Sequence, residues 1–384
     1  MALHVLDEAN RCLGCKKPMC QQGCPIHTNI PEVIRLLKAN ELDAAGRMLF
    51  ENNPLTTVCS LVCNHENQCE GHCIRNRMPS HDPVHFSIIE DYISTTYANK
   101  MTKGPAPKNG MKAAVVGAGP AGLTIAVLLA RWGYDITIFD ARDKIGGVMR
   151  YGIPNYRLPR EVLDAEIASM LALGIDVHVN VNVGDDVTFD ELRQQNDALY
   201  IALGAHTDKK TGIEGEDAEG VISAVEMLRE IGDDHMPDFR NKDIVVIGGG
   251  NVAMDVCRSA VRLGARKVSC VYRRRQEDMT ALPEEVEGAV AEGVELVTLQ
   301  APVRIETDAN GHAVALWTQP QIIGEMDKKG RPAPEKAKRS EKRIAADVVV
   351  VAIGQGVETH GFEQTKIAIK RGAFVAEALS LIHI

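Results

Sequence analysis

The sequence lacks an apolar run long enough to cross a membrane. Its strongest apolar runs, residues 123–130 and 348–353, are far shorter than the roughly 18 residues that a transmembrane helix needs. The amino-terminal residues include Asp7, Glu8 and Arg11 and lack the apolar stretch of a secretory signal peptide. We therefore expect a cytoplasmic protein that has no membrane partner.

An excess of positive charge is also missing, because 43 lysines and arginines face 52 aspartates and glutamates, for a formal net charge of -9. This balance argues against nucleic acid as the main partner. Hydrophobic residues make up 45% of the chain and charged residues 25%, as is typical of packed globular proteins. A chain of 384 residues is long enough for two or three domains.

Cysteine is scarce after residue 73, where only Cys257 and Cys270 occur, both inside apolar patterns typical of buried side chains. They do not form a C-x-x-C pair, which disfavours a thioredoxin-reductase mechanism. No Ser–His–Asp, Cys–His or paired-carboxylate set is evident either. The other eight cysteines form a first motif, C-x2-C-x4-C-x3-C-P, and a second motif, C-x3-C-x5-C-x3-C: Cys12, Cys15, Cys20 and Cys24, then Cys59, Cys63, Cys69 and Cys73.

Eight clustered thiols in a reducing compartment indicate metal ligands rather than disulfides. Tight loops let several thiolates converge on one iron–sulfur cluster, and the cysteine before a proline commonly binds the other cluster in two-cluster ferredoxin-like sequences. Zinc is the alternative, with His27, His65 or His72 as additional ligands. Because only one C-x2-C pair occurs, the spacing favours iron–sulfur clusters.

Two strand–turn–helix–strand patterns occur about 130 residues apart and predict two Rossmann-like nucleotide-binding domains. Amino-terminal to them, short helices and a Gly- and Pro-rich linker are expected. The predicted elements are helices 30–40 and 42–50, linker 101–110, strand 112–116, helix 123–132, strands 135–139, 175–183, 198–204 and 243–247, helix 254–263, strands 267–272 and 346–354, and a solvated hairpin or loop at 324–343.

The first glycine-rich turn is Gly-Ala-Gly-Pro-Ala-Gly, residues 117–122. Its glycines permit a tight turn, close approach of a pyrophosphate and packing of the following helix, whose amino terminus attracts phosphate. Asp140 ends the next strand and is placed to accept hydrogen bonds from ribose hydroxyls. Further Gly and Pro residues, in the segments 145–148, 151–154 and 157–159, would keep the backbone close to a bulky ligand.

The second turn has Gly248, Gly250 and Ala253 at the corresponding positions, with Asn251 and Val252 between them. Its second strand ends in Arg273, Arg274 and Arg275 instead of an acidic residue. Arginines at this point suit a 2′-phosphate and favour NADPH over NADH. A solvated basic turn is the alternative interpretation.

These motifs together resemble the small (β) subunit of bacterial glutamate synthase. Relatives include the N-terminal half of dihydropyrimidine dehydrogenase and the flavin subunit of NADH-dependent ferredoxin:NADP oxidoreductase. The similarity rests on RCLGC…C…GCP, VCNHENQCEGHC, VVGAGPAGL, GGVMRYGIPNYRLP, VIGGGNVAMDV and YRRRQEDM. It implies an α/β protein with an N-terminal α-helical domain that holds two 4Fe-4S clusters (1–105), an FAD domain (106–205 and 345–384) and an inserted NADPH domain (206–344).

The resemblance also implies site residues. One cluster would be held by Cys12, Cys15, Cys20 and Glu90, and the other by Cys24, Cys63, Cys69 and Cys73. Cys59 would then be a non-ligand, with Cys59 as the fourth ligand of the first cluster as the alternative. The residues implied for FAD are Gly117, Gly119, Pro120, Ala121, Gly122, Asp140, Gly146, Gly147 and Arg157, and those expected for NADPH are Gly248, Gly250, Asn251, Val252, Ala253, Arg273 and Arg274.

Two departures from the family stand out. The family usually has Glu where this chain has Asp140. Relatives also continue to a strand and a Gly-Asp motif beside the flavin, whereas Ala378–Ile384 does not look like that continuation. We expect a truncated sequence or a spurious tail there, with weaker FAD binding if the chain ends at this point.

The function implied by the resemblance is NADPH oxidation through FAD and transfer of single electrons to a partner subunit. That partner would be the large subunit of glutamate synthase, with a pyrimidine-reducing partner or a ferredoxin as alternatives. The chain has no glutamine amidotransferase domain and no FMN barrel, so it would not make glutamate by itself. Two rival hypotheses are a flavin-free dehydrogenase and a zinc-stapled scaffold subunit without enzymatic activity.

Overall fold

The computed structural model describes residues 2–97, 104–326 and 330–359, and, beyond these, residues 362, 365, 367–370 and 373–376. The expected tail at residues 378–384 lies outside the described residues, as does part of the predicted linker. The chain divides into a first unit (1–150, 155–204 and 361–366) and a second unit (151–154, 205–360 and 367–384). The domain boundaries expected from the sequence stay predictions.

Short helices joined by cysteine-bearing loops make up residues 2–97. Apolar spacing explains them: in the third helix Val33, Ile34 and Leu37 are buried, and Pro31 occupies the first turn, where its missing N–H is tolerated. The helices predicted at 30–40 and 42–50 are confirmed with ends shifted by up to two residues. The bounds are α1 Ala2–Asn10, α2 Met19–Gly23, α3 Ile30–Lys38, α4 Leu42–Asn52, α5 Thr56–Val62 and α6 Phe86–Tyr97.

The rest of the first unit is built on a parallel sheet. Its elements are β1 Lys112–Val116, α7 Pro120–Arg131, β2 Asp135–Phe139, α8 Val148–Tyr151, α9 Arg160–Leu171, β3 Asp176–His178, α10 Phe189–Gln195 and β4 Ala198–Ile201, with strand order β3-β2-β1-β4. The run of buried residues in β1 is expected for a strand covered on both faces. The strand predicted at 175–183 is shorter because Val179 is 37% exposed and Asn180 has a φ of 55°.

The second unit has a parallel sheet of order β6-β14-β7-β8-β9 and an antiparallel sheet in which β11 pairs with β10, β12 and β13. Helices cover one face of the parallel sheet, and β10 and β11 pack on the other. The bounds are β5 Thr207–Asp208, β6 Val221–Ser223, α11 Ala224–Gly232, β7 Asp243–Ile247, α12 Asn251–Arg262, β8 Lys267–Tyr272, α13 Pro283–Ala291, β9 Glu295–Thr298, β10 Gln300–Thr307, β11 Ala313–Met326, β12 Pro332–Lys336, β13 Lys342–Ala345, β14 Val348–Val351, β15 Gln355–Gly356, β16 Ile369–Lys370 and β17 Ala373–Phe374.

β14 lies in the predicted FAD-domain segment, whose boundaries stay predictions. The sequence assigned residues 345–384 to the FAD domain, and β14 pairs in parallel with β6 and β7 inside the sheet of the second unit. All four valines of β14 are buried, which suits a central strand of a parallel sheet. The basic segment 324–343 contributes to the antiparallel sheet, as the hairpin prediction anticipated. Within the described part of the chain, no helix is both long and apolar enough to cross a membrane.

Candidate cofactor-binding sites

Five cysteines border one cavity between the N-terminal helices, and we call four of them, Cys12, Cys15, Cys20 and Cys73, the first cysteine group. The loop after α1, the helix α2 and the loop after Cys69 bring them together. Burial raises the pKa of the Cys20 thiol to about 11, and the neighbouring charges of the other three members add to this effect. The remaining lining is largely apolar, with Ile30, Ile34, Val84 and Phe86 among its residues, and Cys69 also reaches this cavity.

A second cysteine group consists of Cys24, Cys59, Cys63 and Cys69. Cys59 lies in α5 and Cys63 follows one helical turn later, with the Cys63 amide donating to the Cys59 carbonyl at 3.0 Å. A hydrogen bond between their thiols raises the pKa of Cys59 and lowers that of Cys63. The charges of Cys69 and Cys24 act on Cys63 in the opposite direction, so these four sulfurs are near neighbours.

Glu90 lies beside the second cysteine group. It projects from α6, is 6% exposed, and accepts a hydrogen bond from Thr56 Oγ1 at 2.8 Å, while its other oxygen is 3.7 Å from His65 Nε2. Burial raises the pKa of Cys69, and the charge of Glu90 contributes to that rise. The resemblance instead implied that Glu90 completes a cluster with Cys12, Cys15 and Cys20. Among the described residues, no three His, Cys, Asp or Glu side chains are close enough together to hold a single metal ion.

Sequence reasoning did not single out Glu166, which lies on α9. It is 5% exposed, and its oxygens accept hydrogen bonds from the amides of Thr57 at 2.7 Å and Val58 at 3.0 Å, at the start of α5. Burial raises the pKa of this carboxyl to about 7, against the opposing effect of those hydrogen bonds. No local signal could have identified the contact, because the two segments are 109 residues apart.

The first glycine-rich turn connects β1 to α7. Gly117 has a φ of +104°, and a Cβ there would lie 2.4 Å from the carbonyl oxygen of Ala202. A Cβ at Gly122 would lie 1.9 Å from the carbonyl oxygen of Gly117, so neither position can hold a side chain without a backbone shift. Gly119 caps α7, and Pro120 and Ala121 open it. The first-turn amides of such a helix form an anion site suited to a pyrophosphate.

Asp140 follows β2 and is hydrogen-bonded to the same turn. Its two carboxylate oxygens accept hydrogen bonds from the amides of Ala118 at 2.6 Å and Arg142 at 2.9 Å. A carboxylate oxygen can accept more than one hydrogen bond, so capacity remains for a ribose hydroxyl. The predicted ribose contact stays a prediction.

Gly146 and Gly147 pack directly against the first turn. Gly146 donates from its amide to the Ala118 carbonyl at 2.9 Å, and Gly147, with a φ of +54°, would place a Cβ 2.6 Å from the Cα of Gly119. Arg150 is 7% exposed; it donates from Nε to the Ile145 carbonyl at 2.8 Å and pairs with Asp164. Arg157 lies half-buried between α8 and α9. The two glycines therefore let a second loop approach the phosphate-binding turn.

The second glycine-rich turn connects β7 to α12. A Cβ at Gly248 would lie 2.5 Å from the carbonyl oxygen of Ala352, and Gly250 caps α12. Asn251 Oδ1 accepts a hydrogen bond from the Leu282 amide at 2.8 Å, which ties the turn to the segment before α13. Val252 is half-buried, and Ala253 is fully buried against the sheet. The turn thus has the geometry expected of a dinucleotide site.

The three arginines after β8 differ in their surroundings. Arg274 is 5% exposed and donates from Nε to the Pro332 carbonyl at 2.8 Å. Arg275 forms a bidentate pair with Asp278, with distances of 2.8 and 2.9 Å. Arg273 is exposed and takes part in neither contact. Of the three, Arg273 is therefore the most accessible to a phosphate.

Comparison with known proteins agrees with these sites. Residues 2–102 match the family described as dihydropyrimidine dehydrogenase domain II, 4Fe-4S cluster, and residues 111–380 match the pyridine nucleotide-disulphide oxidoreductase family. The glutamate synthase (NADPH) small chain of Escherichia coli is 36% identical over 361 residues, which is 90% of this chain and 76% of that one. This chain belongs to the glutamate synthase small-chain family.

Other proteins similar to this chain have different names. The NADPH-Fe(3+) oxidoreductase subunit beta of Geobacter sulfurreducens is 37% identical over 347 residues, which is 88% of this chain and 50% of that one. The structure of Mycobacterium tuberculosis FprA in complex with NADPH has a TM-score of 0.55 and 21% identity, covering 67% of this chain and 73% of that chain. The latter similarity supports the fold alone.

The predicted family, fold class and oxidoreductase function are confirmed. The amino-terminal region is a 4Fe-4S domain, and the remainder is an oxidoreductase region that binds FAD and a nicotinamide nucleotide. The number of clusters and the individual ligands stay predictions.

Proposed function

We propose that this chain oxidises NADPH at bound FAD and delivers single electrons through two 4Fe-4S clusters to a partner subunit. The observation that carries the proposal is that both cysteine groups and the first glycine-rich turn belong to one compact unit. FAD, when bound, supplies the exchange between two-electron and one-electron chemistry. The protein's own contribution is to hold the cofactors in place and to exclude water from them.

In the proposed arrangement the two cysteine groups each hold one cluster. The last cysteine of the first motif, Cys24, joins the second group, and the last cysteine of the second motif, Cys73, joins the first group. Such an exchange is a known feature of two-cluster ferredoxin-like sequences. The proposal is supported by the thiols that surround Cys20 and Cys63. Glu90 is then a neighbour of the second cluster and not a ligand.

Separate substitutions Cys59→Ser and Glu90→Gln test this ligand set. The proteins are purified without air, and iron and acid-labile sulfide are counted per chain. We expect Cys59→Ser to lose about half of the iron and Glu90→Gln to keep all of it, because a cluster needs its thiolates. Loss of iron only in Glu90→Gln would favour the assignment implied by the resemblance.

For NADPH, the proposed contacts are the first-turn amides of α12 with the pyrophosphate and Arg273 with the 2′-phosphate. An exposed guanidinium can bind a phosphate through two parallel hydrogen bonds. The matching contacts for FAD are the first-turn amides of α7 with the pyrophosphate and Asp140 with the ribose.

Reduction of ferricyanide by NADPH tests the proposed function as a whole. The full chain should bleach ferricyanide in the presence of NADPH and should show the broad absorbance of iron–sulfur clusters beneath the flavin bands. Absence of both would contradict the proposal and favour a scaffold subunit. A colourless protein that still oxidises NADPH would favour the flavin-free dehydrogenase.

The first partner to test is a glutamate synthase large subunit, because this chain spans 76% of the small chain from Escherichia coli. Mixed with that large subunit, NADPH and glutamine, the chain should support formation of glutamate from 2-oxoglutarate. No glutamate in the presence of an active ferricyanide reaction would point to a pyrimidine-reducing partner or a ferredoxin instead. The cytoplasmic location stays a prediction.

A further inference from the structure

A buried carboxylate on α9 accepts hydrogen bonds from the start of α5, the helix that contains Cys59 and is followed by Cys63. Glu166 on α9 accepts hydrogen bonds from the amides of Thr57 at 2.7 Å and Val58 at 3.0 Å. These are first-turn amides of α5, which no carbonyl inside the helix can satisfy. The same helix carries Cys59 and ends before Cys63. Glu166 therefore holds one end of the helix in which Cys59 lies.

The helix that carries Glu166 also supports the first nucleotide site. Leu163 Cδ2 and Ile167 Cδ1 lie 3.4 and 3.6 Å from the point where a Cβ of Gly146 would be. Both side chains are buried, with exposures of 0% and 4%. α9 thus packs Leu163 and Ile167 against the Gly146 loop and directs Glu166 to α5. The three residues lie within one and a half turns of the helix.

The surroundings of Glu166 allow its negative charge to affect the reduction potential of a nearby cluster. The carboxylate is 5% exposed, and in the described part of the chain no lysine or arginine forms an ion pair with it. Its partners are the two amides and the Thr57 side chain, and the charge of Glu90 also acts on it. Net charge and hydrogen bonding around an iron–sulfur cluster set its reduction potential. A buried negative charge nearby favours the oxidised cluster, which carries less negative charge than the reduced one.

We propose that Glu166 is a positioning residue that fixes α5 against the FAD-binding region and lowers the reduction potential of the cluster held by the second cysteine group. This inference rests on the proposed function, since it requires that cluster. It extends the proposed function by naming Glu166 as the side chain that connects the FAD-binding region to the second cysteine group. A carboxylate that capped the helix but lay too far from the cluster to act on its charge would contribute to stability and leave the potential unchanged.

The test compares Glu166→Gln with Glu161→Gln in the full chain, purified without air. Glu161 is an exposed carboxylate on the same helix and serves as the matched control. Each protein is titrated at about pH 8, above the carboxyl pKa of about 7, and the clusters are followed by electron paramagnetic resonance. The cluster of the second cysteine group is identified as the signal that disappears in Cys59→Ser.

We expect Glu166→Gln to keep its iron and FAD while the reduced-to-oxidised ratio of the second cluster at a fixed potential rises roughly tenfold. The first cluster and the Glu161→Gln protein should match the wild type. Wild-type potentials for both clusters in Glu166→Gln would overturn the inference.

If Glu166→Gln does not retain iron, Glu166→Asp carries the test, because it keeps the charge and shortens the side chain. We then expect a near wild-type potential with an altered spectrum of the second cluster, and an unaltered spectrum with full iron would overturn the positioning role. A wild-type protein without clusters, or without NADPH-driven ferricyanide reduction, would contradict the proposed function itself, whatever the variants do.

Discussion

Gly147 has a backbone conformation and a packing environment that together exclude any side chain. Its φ is +54°, and a Cβ would lie 2.6 Å from the Cα of Gly119, which caps the phosphate-binding helix. The strained backbone alone costs about 1–2 kcal/mol for another residue. Because the Cβ would clash with the backbone of Gly119, no side-chain rotation can relieve the clash.

The substitution Gly147→Ala should therefore prevent tight FAD binding. We expect the purified protein to contain less than about a tenth of the wild-type flavin, given backbone strain plus a steric clash. Flavin is measured by absorbance after denaturation. Gly212→Ala is the control, because Gly212 also has a positive φ, +73°, but nothing lies within 4 Å of its Cβ position. Equal flavin loss in both variants would mean that backbone strain, not the contact with Gly119, is responsible.

Arg273 provides a test of nucleotide preference. The substitution Arg273→Gln should raise the KM for NADPH by about tenfold or more and leave that for NADH unchanged, because only NADPH has the 2′-phosphate. Steady-state ferricyanide reduction with each nucleotide measures the two values. The control is Arg240→Gln, an exposed arginine that pairs with Asp238. An equal loss with both nucleotides would show that Arg273 does not recognise the phosphate.

At the residue scale, local sequence motifs predicted those residues whose contacts lie within or next to the same turn. Gly117, Gly122 and Asp140 follow from a short sequence pattern because their contacts are near in sequence or to the backbone of a neighbouring strand. Glu166 did not, since its partners are 109 residues away. The burial of Arg274 escaped notice for the same reason: its carbonyl partner, Pro332, lies in a distant hairpin.

At the element scale, α4 and α6 pack so closely that Gly46 leaves no room for a larger residue. A Cβ at Gly46 would lie 2.2 Å from Cγ and 2.6 Å from Cβ of Tyr97, atoms near the root of that side chain. Tyr97 is 5% exposed and has little room to move. α6 also carries Glu90 and packs on α5, so this contact supports the second cysteine group.

Gly46→Ala should destabilise the helical region by about 1–3 kcal/mol, as overpacking of a core usually does. Urea unfolding followed by circular dichroism measures the change, and the iron content should fall during purification. Gly288→Ala is the control, because its Cβ position in α13 lies 3.4 Å from the guanidinium of Arg258, which is an ordinary contact distance. There the gain in helix propensity, about 1 kcal/mol, should leave stability unchanged or slightly raised. Identical effects of the two substitutions would argue against close helix packing at Gly46.

The strands and helices themselves were predicted with varying success. β1, β2, β7 and β8 match their predicted bounds. β1 and β7 are buried almost throughout, as expected of parallel strands covered on both faces, whereas burial alternates along β2. β3 is shorter than its alternating pattern suggested, because periodicity does not reveal where a sheet partner ends. The sheet to which β14 belongs was not evident either, since an apolar run fits the centre of any parallel sheet.

On the scale of the whole molecule, the two units have separate cores. The core of the second unit surrounds its own parallel sheet and includes Val246, Cys257 and Val350. The helical region has another core, whose members include Val33, Leu49 and Ile89 and which packs against Cys12, Cys20 and Cys73. Because cysteines form part of the latter core, iron–sulfur clusters would stabilise it directly. Metal binding to such sites is coupled to folding.

Removal of the clusters should therefore affect the nucleotide sites unequally. After oxidation and chelation of the iron, we expect the helical region to lose much of its protection from proteolysis. FAD should be released at a lower temperature, because α9 contacts both α5 and the Gly146 loop. NADPH binding should stay within about twofold of the holoprotein, since the second unit keeps its own core. Flavin fluorescence on heating and NADPH titration measure the two effects. Equal loss of both nucleotides would show that the second unit depends on the clusters for its stability. An unchanged FAD-release temperature would show that loss of the clusters does not affect the flavin site through α9.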